Sequence, residues 1–83
     1  MREYEYLFAI SLQNELKDKI NASIFVNVYR DTLCVNTKTK FGIEYETSID
    51  NFSEKLLNGY NAEYTAYEIV KGYRSLINRT FFY

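Results

Sequence analysis

The residues able to do chemistry are few, and they come in pairs. Glu44 and Glu46 stand two apart in "FGIEYETSID", and Glu15 and Asp18 three apart in "QNELKDK". These spacings put two carboxylates on one side of a strand and of a helix respectively. Paired carboxylates can ligate magnesium or divide acid and base work. Neither pair has a third ligand near it in sequence, so both read as solvated surface. Histidine is absent, which removes the Ser/His/Asp and Cys/His systems and the usual zinc sites. The three glycines, Gly42, Gly59 and Gly72, make neither a phosphate-cradling loop nor a dinucleotide fingerprint. Cys34, between Leu33 and Val35, is expected to be a buried or half-buried thiol rather than a nucleophile. The inventory predicts no enzyme, no metal and no cofactor.

The elements that must position these groups follow from periodicity. Tyr4, Phe8, Leu12, Leu16 and Ile20 recur every four residues with Leu7 beside them, facing away from Glu3, Gln13, Asn14 and Lys17. This spacing predicts an amphipathic helix. Alternation of Tyr4, Tyr6, Phe8 and Ile10 also fits a strand followed by a shorter helix capped by Ser11. From Ser23 the period is two: Ile24, Val26 and Val28 lie on one face and Phe25, Asn27 and Tyr29 on the other. After the polar turn "YRDTL", Leu33, Val35 and Thr37 repeat the pattern. "TKTKFG" turns the chain again, and Phe41, Ile43, Tyr45 and Thr47 alternate with Gly42, Glu44 and Glu46 as a third strand. Three short strands with tight turns make an antiparallel meander.

"SIDNFSEKLLNG" predicts a short helix, with Ser48 or Asp50 as cap, Glu54 near its positive end and Gly59 as a left-handed stop. Asn61 caps the last helix, where Tyr67, Val70, Arg74 and Ile77 sit at helical spacing, as do Ile69, Tyr73 and Leu76. Gly72 inside it costs about 1 kcal/mol relative to alanine, which points to a close packing contact. The expected fold is α+β in the order αβββαα, one domain over residues 1–83. It has two layers, with the Ile24, Val26, Val28, Leu33, Val35, Ile43 and Tyr45 face covered by helices and the other face open.

Composition agrees with a folded chain: of 83 residues, 47% are hydrophobic and 25% charged, which argues against disorder. A single cysteine forms no intramolecular disulfide and suits a reducing compartment. The apolar run of the first twenty residues is too short to span a membrane, which takes about 20 apolar residues, and it lacks a secretory cleavage pattern. A cytoplasmic protein is expected. Net charge is −1 but unevenly spread. Phe41 to Val70 holds six acids (Glu44, Glu46, Asp50, Glu54, Glu63, Glu68) against Lys55, whereas Lys71 to Tyr83 holds three bases and no acid. If the second sheet face is open, Phe25, Asn27 and Tyr29 beside Arg30 and Lys38 offer a surface for stacking bases. A pI near 5.4 weighs against that reading.

The stretch "NGYNAEYTAYEIVKGY" sets Tyr60, Tyr64 and Tyr67 along one side of a helix with Glu63 and Glu68 next to them. Tyrosines so placed either seal a small core with their hydroxyls wet or meet a partner. The run "EKLLNGYNAEYTAYE", Glu54 to Glu68, resembles the segment joining the last two helices of small phage-encoded anti-CRISPR proteins that inhibit the type II CRISPR effector nuclease. Asn58, Gly59, Tyr60, Asn61, Glu63 and Tyr64 carry the resemblance, and the length and the expected element order are similar too. The resemblance implies a DNA mimic whose carboxylates occupy the arginine-lined site that reads the short motif flanking the target. Bidentate arginine accepts carboxylate as readily as a guanine edge. Where that family continues with an acidic run, this chain has Thr65 to Tyr67 and regains a charge only at Glu68.

The expected function is therefore non-enzymatic binding and inhibition of a bacterial host protein, a CRISPR effector being the instance the resemblance implies. The candidate partner-binding residues are Tyr60, Asn61, Glu63, Tyr64, Tyr67 and Glu68, with Glu44, Glu46 and Asp50. The alternative is a nucleic-acid-binding or structural module using the open sheet face or the basic end at Lys71, Arg74 and Arg79. A homodimer burying exposed aromatics, including "FFY" at the C-terminus, is compatible with both.

Overall fold

A computed structural model describes residues 2–81. The chain runs through α1 (Glu3–Lys19), β1 (Ser23–Tyr29), β2 (Thr32–Lys38), β3 (Glu44–Ile49), α2 (Phe52–Leu57) and α3 (Ala62–Phe81). This is the αβββαα order that periodicity predicts. The strand alternative for the N-terminus does not occur: α1 is continuous, and the Glu5 carboxylate accepts a bond from the Arg2 amide at its start (3.4 Å). Only part of the expected apolar stripe is used. Phe8, Leu12, Leu16 and Ile20 are buried, but Tyr4 and Leu7 are 41% and 54% exposed. Leu7 lies with Tyr6 and Ile10 on the outer side of the helix because a single packed face of a helix is only about 100° wide.

The three strands form one antiparallel sheet in the order β1-β2-β3. β1 and β2 pair from Ser23↔Lys38 to Tyr29↔Thr32, and β2 and β3 from Leu33↔Ile49 to Lys38↔Glu44. α1 lies against β1 and α3 against both α1 and β3, which gives the expected two layers. On β2, Leu33, Val35 and Thr37 point into the helix layer and are buried, while Phe25 and Tyr29 on the other side of the sheet stand exposed. The same alternation puts Cys34 on the open face, where it is exposed. The expectation of a buried or half-buried thiol is thereby corrected: its two neighbours take the core positions.

The turns decide how the second half is placed. Between β1 and β2, Arg30 and Asp31 both adopt positive φ (+50° and +62°), as a two-residue hairpin of the right twist requires. β3 begins at Glu44 rather than Phe41. Thr39 and Ile43 close a turn (Thr39 N–H to Ile43 carbonyl, 2.9 Å), the Thr39 hydroxyl accepts from the Phe41 and Ile43 amides, and Gly42 takes φ +85°. Phe41 is therefore a turn residue, where it meets Phe81 edge-on at 6.0 Å. The Phe82 and Tyr83 part of the aromatic C-terminus expected to favour a homodimer lies outside the described residues.

The cap of α2 differs from expectation. Neither Ser48 nor Asp50 serves: Ser48 remains in the β3 ladder opposite Cys34, and Asp50 accepts a bond from the Thr32 hydroxyl (3.2 Å). Asp31, in the first hairpin turn, does the capping. Its carbonyl accepts from the Phe52 amide (2.9 Å), and its carboxylate from the Ser53 amide (2.8 Å) and hydroxyl (3.0 Å). Phe52 is fully buried and packs edge-on against Phe8 at 5.2 Å. Gly59 takes φ +90° beyond the end of α2, the left-handed stop expected of it. Asn61 caps α3, accepting from the Tyr64 amide at 2.7 Å. A Cβ placed on Gly72 would overlap the Tyr45 hydroxyl and reach 2.9 Å from Cζ, so the expected close contact is with β3.

Candidate partner-binding surface

α3 is two-sided in a way the sequence stripe only half anticipates. Thr65, Ala66, Ile69 and Val70 are buried, and Tyr73 packs on the core beside them. Tyr67 and Arg74, which share helical spacing with Val70 and Ile77, face solvent instead. Positions 64, 67, 68, 71, 74, 75 and 78 are three or four apart, so they form one exposed stripe along the helix, diametrically away from the core. Its first half carries Tyr64, Tyr67 and Glu68, with exposed Glu63 at its edge.

The nine candidate residues do not make one patch. Tyr60 is half-buried and stacks on Phe8 at 6.5 Å, while the Asn61 side chain is occupied by its capping bond. These two shape the entrance to α3 rather than offering free groups. Glu44 and Glu46 lie on the open sheet face, each opposite its register partner: Lys38 pairs with Glu44 at 3.9 Å, and Asn36 donates to Glu46 at 2.7 Å. Cross-strand pairs of this kind explain both glutamates locally. Asp50 is taken by Thr32. That leaves Glu63, Tyr64, Tyr67 and Glu68. Both tyrosines are 58% exposed, too open to be sealing a core, and neither Glu63 nor Glu68 is in an ion pair among the described residues.

Within this group the side chains act on one another. The Tyr64 hydroxyl is held above the usual tyrosine range, first because hydrogen bonding to the Glu68 carboxylate one turn on favours the neutral hydroxyl and then because that charge repels a phenolate. The pair presents a neutral donor and an acceptor side by side. Glu68 also lines a shallow cleft of about 140 Å³ with Thr65, Tyr60 and the helix-facing residues Tyr45, Thr47 and Ile49 of β3. The Tyr64–Glu68 end of the stripe therefore borders the edge strand, whereas Glu44 and Glu46 project from its far side. The Lys71 ammonium sits 5.8 Å from the Tyr67 ring centroid, at the distance of a cation–π contact.

Among the described residues no group of three or more His, Cys, Asp or Glu side chains is arranged to hold a metal. Glu15 is paired with Lys19 at 2.8 Å. No helix among them is long and apolar enough to cross a membrane. What sequence reading missed on the stripe is its polar continuation: Ser75 and Asn78 are exposed between Lys71, Arg74 and Arg79. The i, i+3, i+4, i+7 spacing from Lys71 was the signal that could have found them. No known protein family, no curated protein and no solved structure matches this chain.

Proposed function

We propose that this chain is a non-catalytic binding protein that occupies a basic, nucleic-acid-handling surface of a bacterial host protein. The motif-reading site of a type II CRISPR effector nuclease is the instance to which the Glu54–Glu68 resemblance points. The observation that carries the reading is the outward Glu63–Tyr64–Tyr67–Glu68 group of α3, whose rings are exposed and whose carboxylates are in no ion pair among the described residues. Two such carboxylates suit arginine forks. Flanking tyrosines supply rigid contact area, which is where interface energy concentrates. The αβββαα order fits the same resemblance. Action in the bacterial cytoplasm belongs to this reading, and one unpaired cysteine accords with it.

The test is direct competition. A guide-loaded type II effector is titrated with labelled target duplex in the presence of the purified chain, and the same is done with a Glu63→Lys, Tyr64→Ala double variant. Wild type should suppress duplex binding, and the variant should need at least about tenfold more protein, a loss equivalent to about 1.4 kcal/mol. Equal behaviour of the two proteins, or no suppression by either, would overturn the reading.

A further inference from the structure

The outer stripe of α3 changes sign halfway. Past Glu68 it holds no acid, and Lys71, Arg74 and Arg79 are all exposed. None is in an ion pair; the two ion pairs among the described residues are Lys19–Glu15 and Lys38–Glu44. The three cations, with the hydroxyl of Ser75 and the amide of Asn78, line a shallow open groove of about 580 Å³ that Tyr67 closes at its N-terminal end. We propose that this groove is a site for the phosphate backbone of nucleic acid, adjoining the acidic half of the same helix at Tyr67. Charge complementarity selects the occupant. The groove lining holds three cations and no acid, and the exposed Tyr67 ring at its edge offers a surface on which a base can stack.

Dimensions agree. Lys71 to Arg79 spans eight residues, about 12 Å of helix axis, and a strand of nucleic acid presents a charge about every 3.4 Å along its axis. Three phosphates can therefore lie against three cations. The acidic whole-chain pI of 5.4 does not cancel the site, because at physiological ionic strength charges farther than about 8 Å are screened. Of the acids on α3, Glu63 lies eight residues, again about 12 Å, before Lys71, and Glu68, about 4.5 Å along the axis, is one carboxylate against three cations. The molecule would then present a protein-facing pole and a nucleic-acid-facing pole on one side of one helix, suited to sitting where a bacterial protein already holds a nucleic acid.

The experiment is fluorescence anisotropy of the full chain with a short labelled oligothymidine and with a matched duplex, across roughly 50 to 200 mM salt. Three phosphate contacts give a slope of log K against log salt of about −2 for the single strand and about −2.7 for the duplex. Affinity for the single strand should fall about 20-fold over that range. Each of Lys71→Ala, Arg74→Ala and Arg79→Ala should reduce the single-strand slope by about 0.7, and the triple variant should lose binding while melting within a few degrees of wild type. The proposal is overturned if neither oligonucleotide binds at the lowest salt, if the slope is shallower than about −1, or if the triple variant binds as wild type does. Tighter association with polyglutamate or with anionic lipid vesicles than with either oligonucleotide also overturns it.

Discussion

Gly72→Ala is the substitution whose sign the packing dictates against local propensity. In a free helix, alanine for glycine would stabilise by about 1 kcal/mol. At position 72 the new methyl would overlap the Tyr45 hydroxyl, approach Cζ to 2.9 Å and Cε1 to 3.4 Å. Tyr45 is itself half-buried against the core, so its ring cannot simply swing aside. Overpacking of a closed contact costs about 1–3 kcal/mol, and the net effect is destabilisation by about 1 kcal/mol. In a Tyr45→Leu background the obstructing atoms are gone, and the same Gly72→Ala change should stabilise by about 0.5–1 kcal/mol. Equilibrium urea unfolding followed by far-ultraviolet circular dichroism measures all four corners of this cycle. In a domain of this size each kcal/mol corresponds to about 4–8 °C in Tm, so the reversal is readable by thermal melts as well. The reasoning fails if Gly72→Ala stabilises the wild-type chain, or if its effect keeps the same sign when Tyr45 is shortened.

Two further outcomes are expected. Asp31→Ala removes the side-chain acceptor for the Ser53 amide and hydroxyl and should cost about 1–2 kcal/mol in urea unfolding, with Asp31→Asn retaining most of the stability. Tyr64 should ionise later than an ordinary tyrosine because Glu68 favours its neutral form. That preference favours the fold below the usual tyrosine range and is lost as pH rises through the raised value. Ring NMR signals of labelled tyrosine followed through alkaline pH should show the delay, and Glu68→Gln should remove it.

The elements were legible because their periods differ: four-residue recurrence from Phe8 to Ile20, alternation from Ile24 to Thr37, then a glycine at 59 and an asparagine at 61 punctuating two helices. What escaped was long-range. Nothing in "SIDNFSEK" says that its cap stands 22 positions earlier at Asp31, because a competing side chain, Thr32, must first draw Asp50 away. Phe41 fits the alternation of β3, yet the Thr39 hydroxyl collects its amide and that of Ile43 into a turn. Cys34 shows the opposite failure, a residue type judged by its average burial when its strand parity already placed it outside. On α3 the acids and rings were visible as a composition. Only the packed helix separates Tyr60 and Asn61, which build the joint, from Tyr64, Tyr67, Glu63 and Glu68, which leave it free.

The bond from Asp31 to the start of α2 also couples two distant parts of the chain. A helix of six residues is far below the length at which an isolated helix persists in water, about 12–15 residues. α2 therefore depends on two things made elsewhere, the Phe52–Phe8 contact and the acceptor set in the β1–β2 turn. That turn aims the acceptor by holding Arg30 and Asp31 in left-handed conformation. The hairpin turn and α2 are thus energetically coupled, and α2 in turn leads through Gly59 and Asn61 into α3. The placement of the exposed stripe depends in part on a turn well before it in the chain.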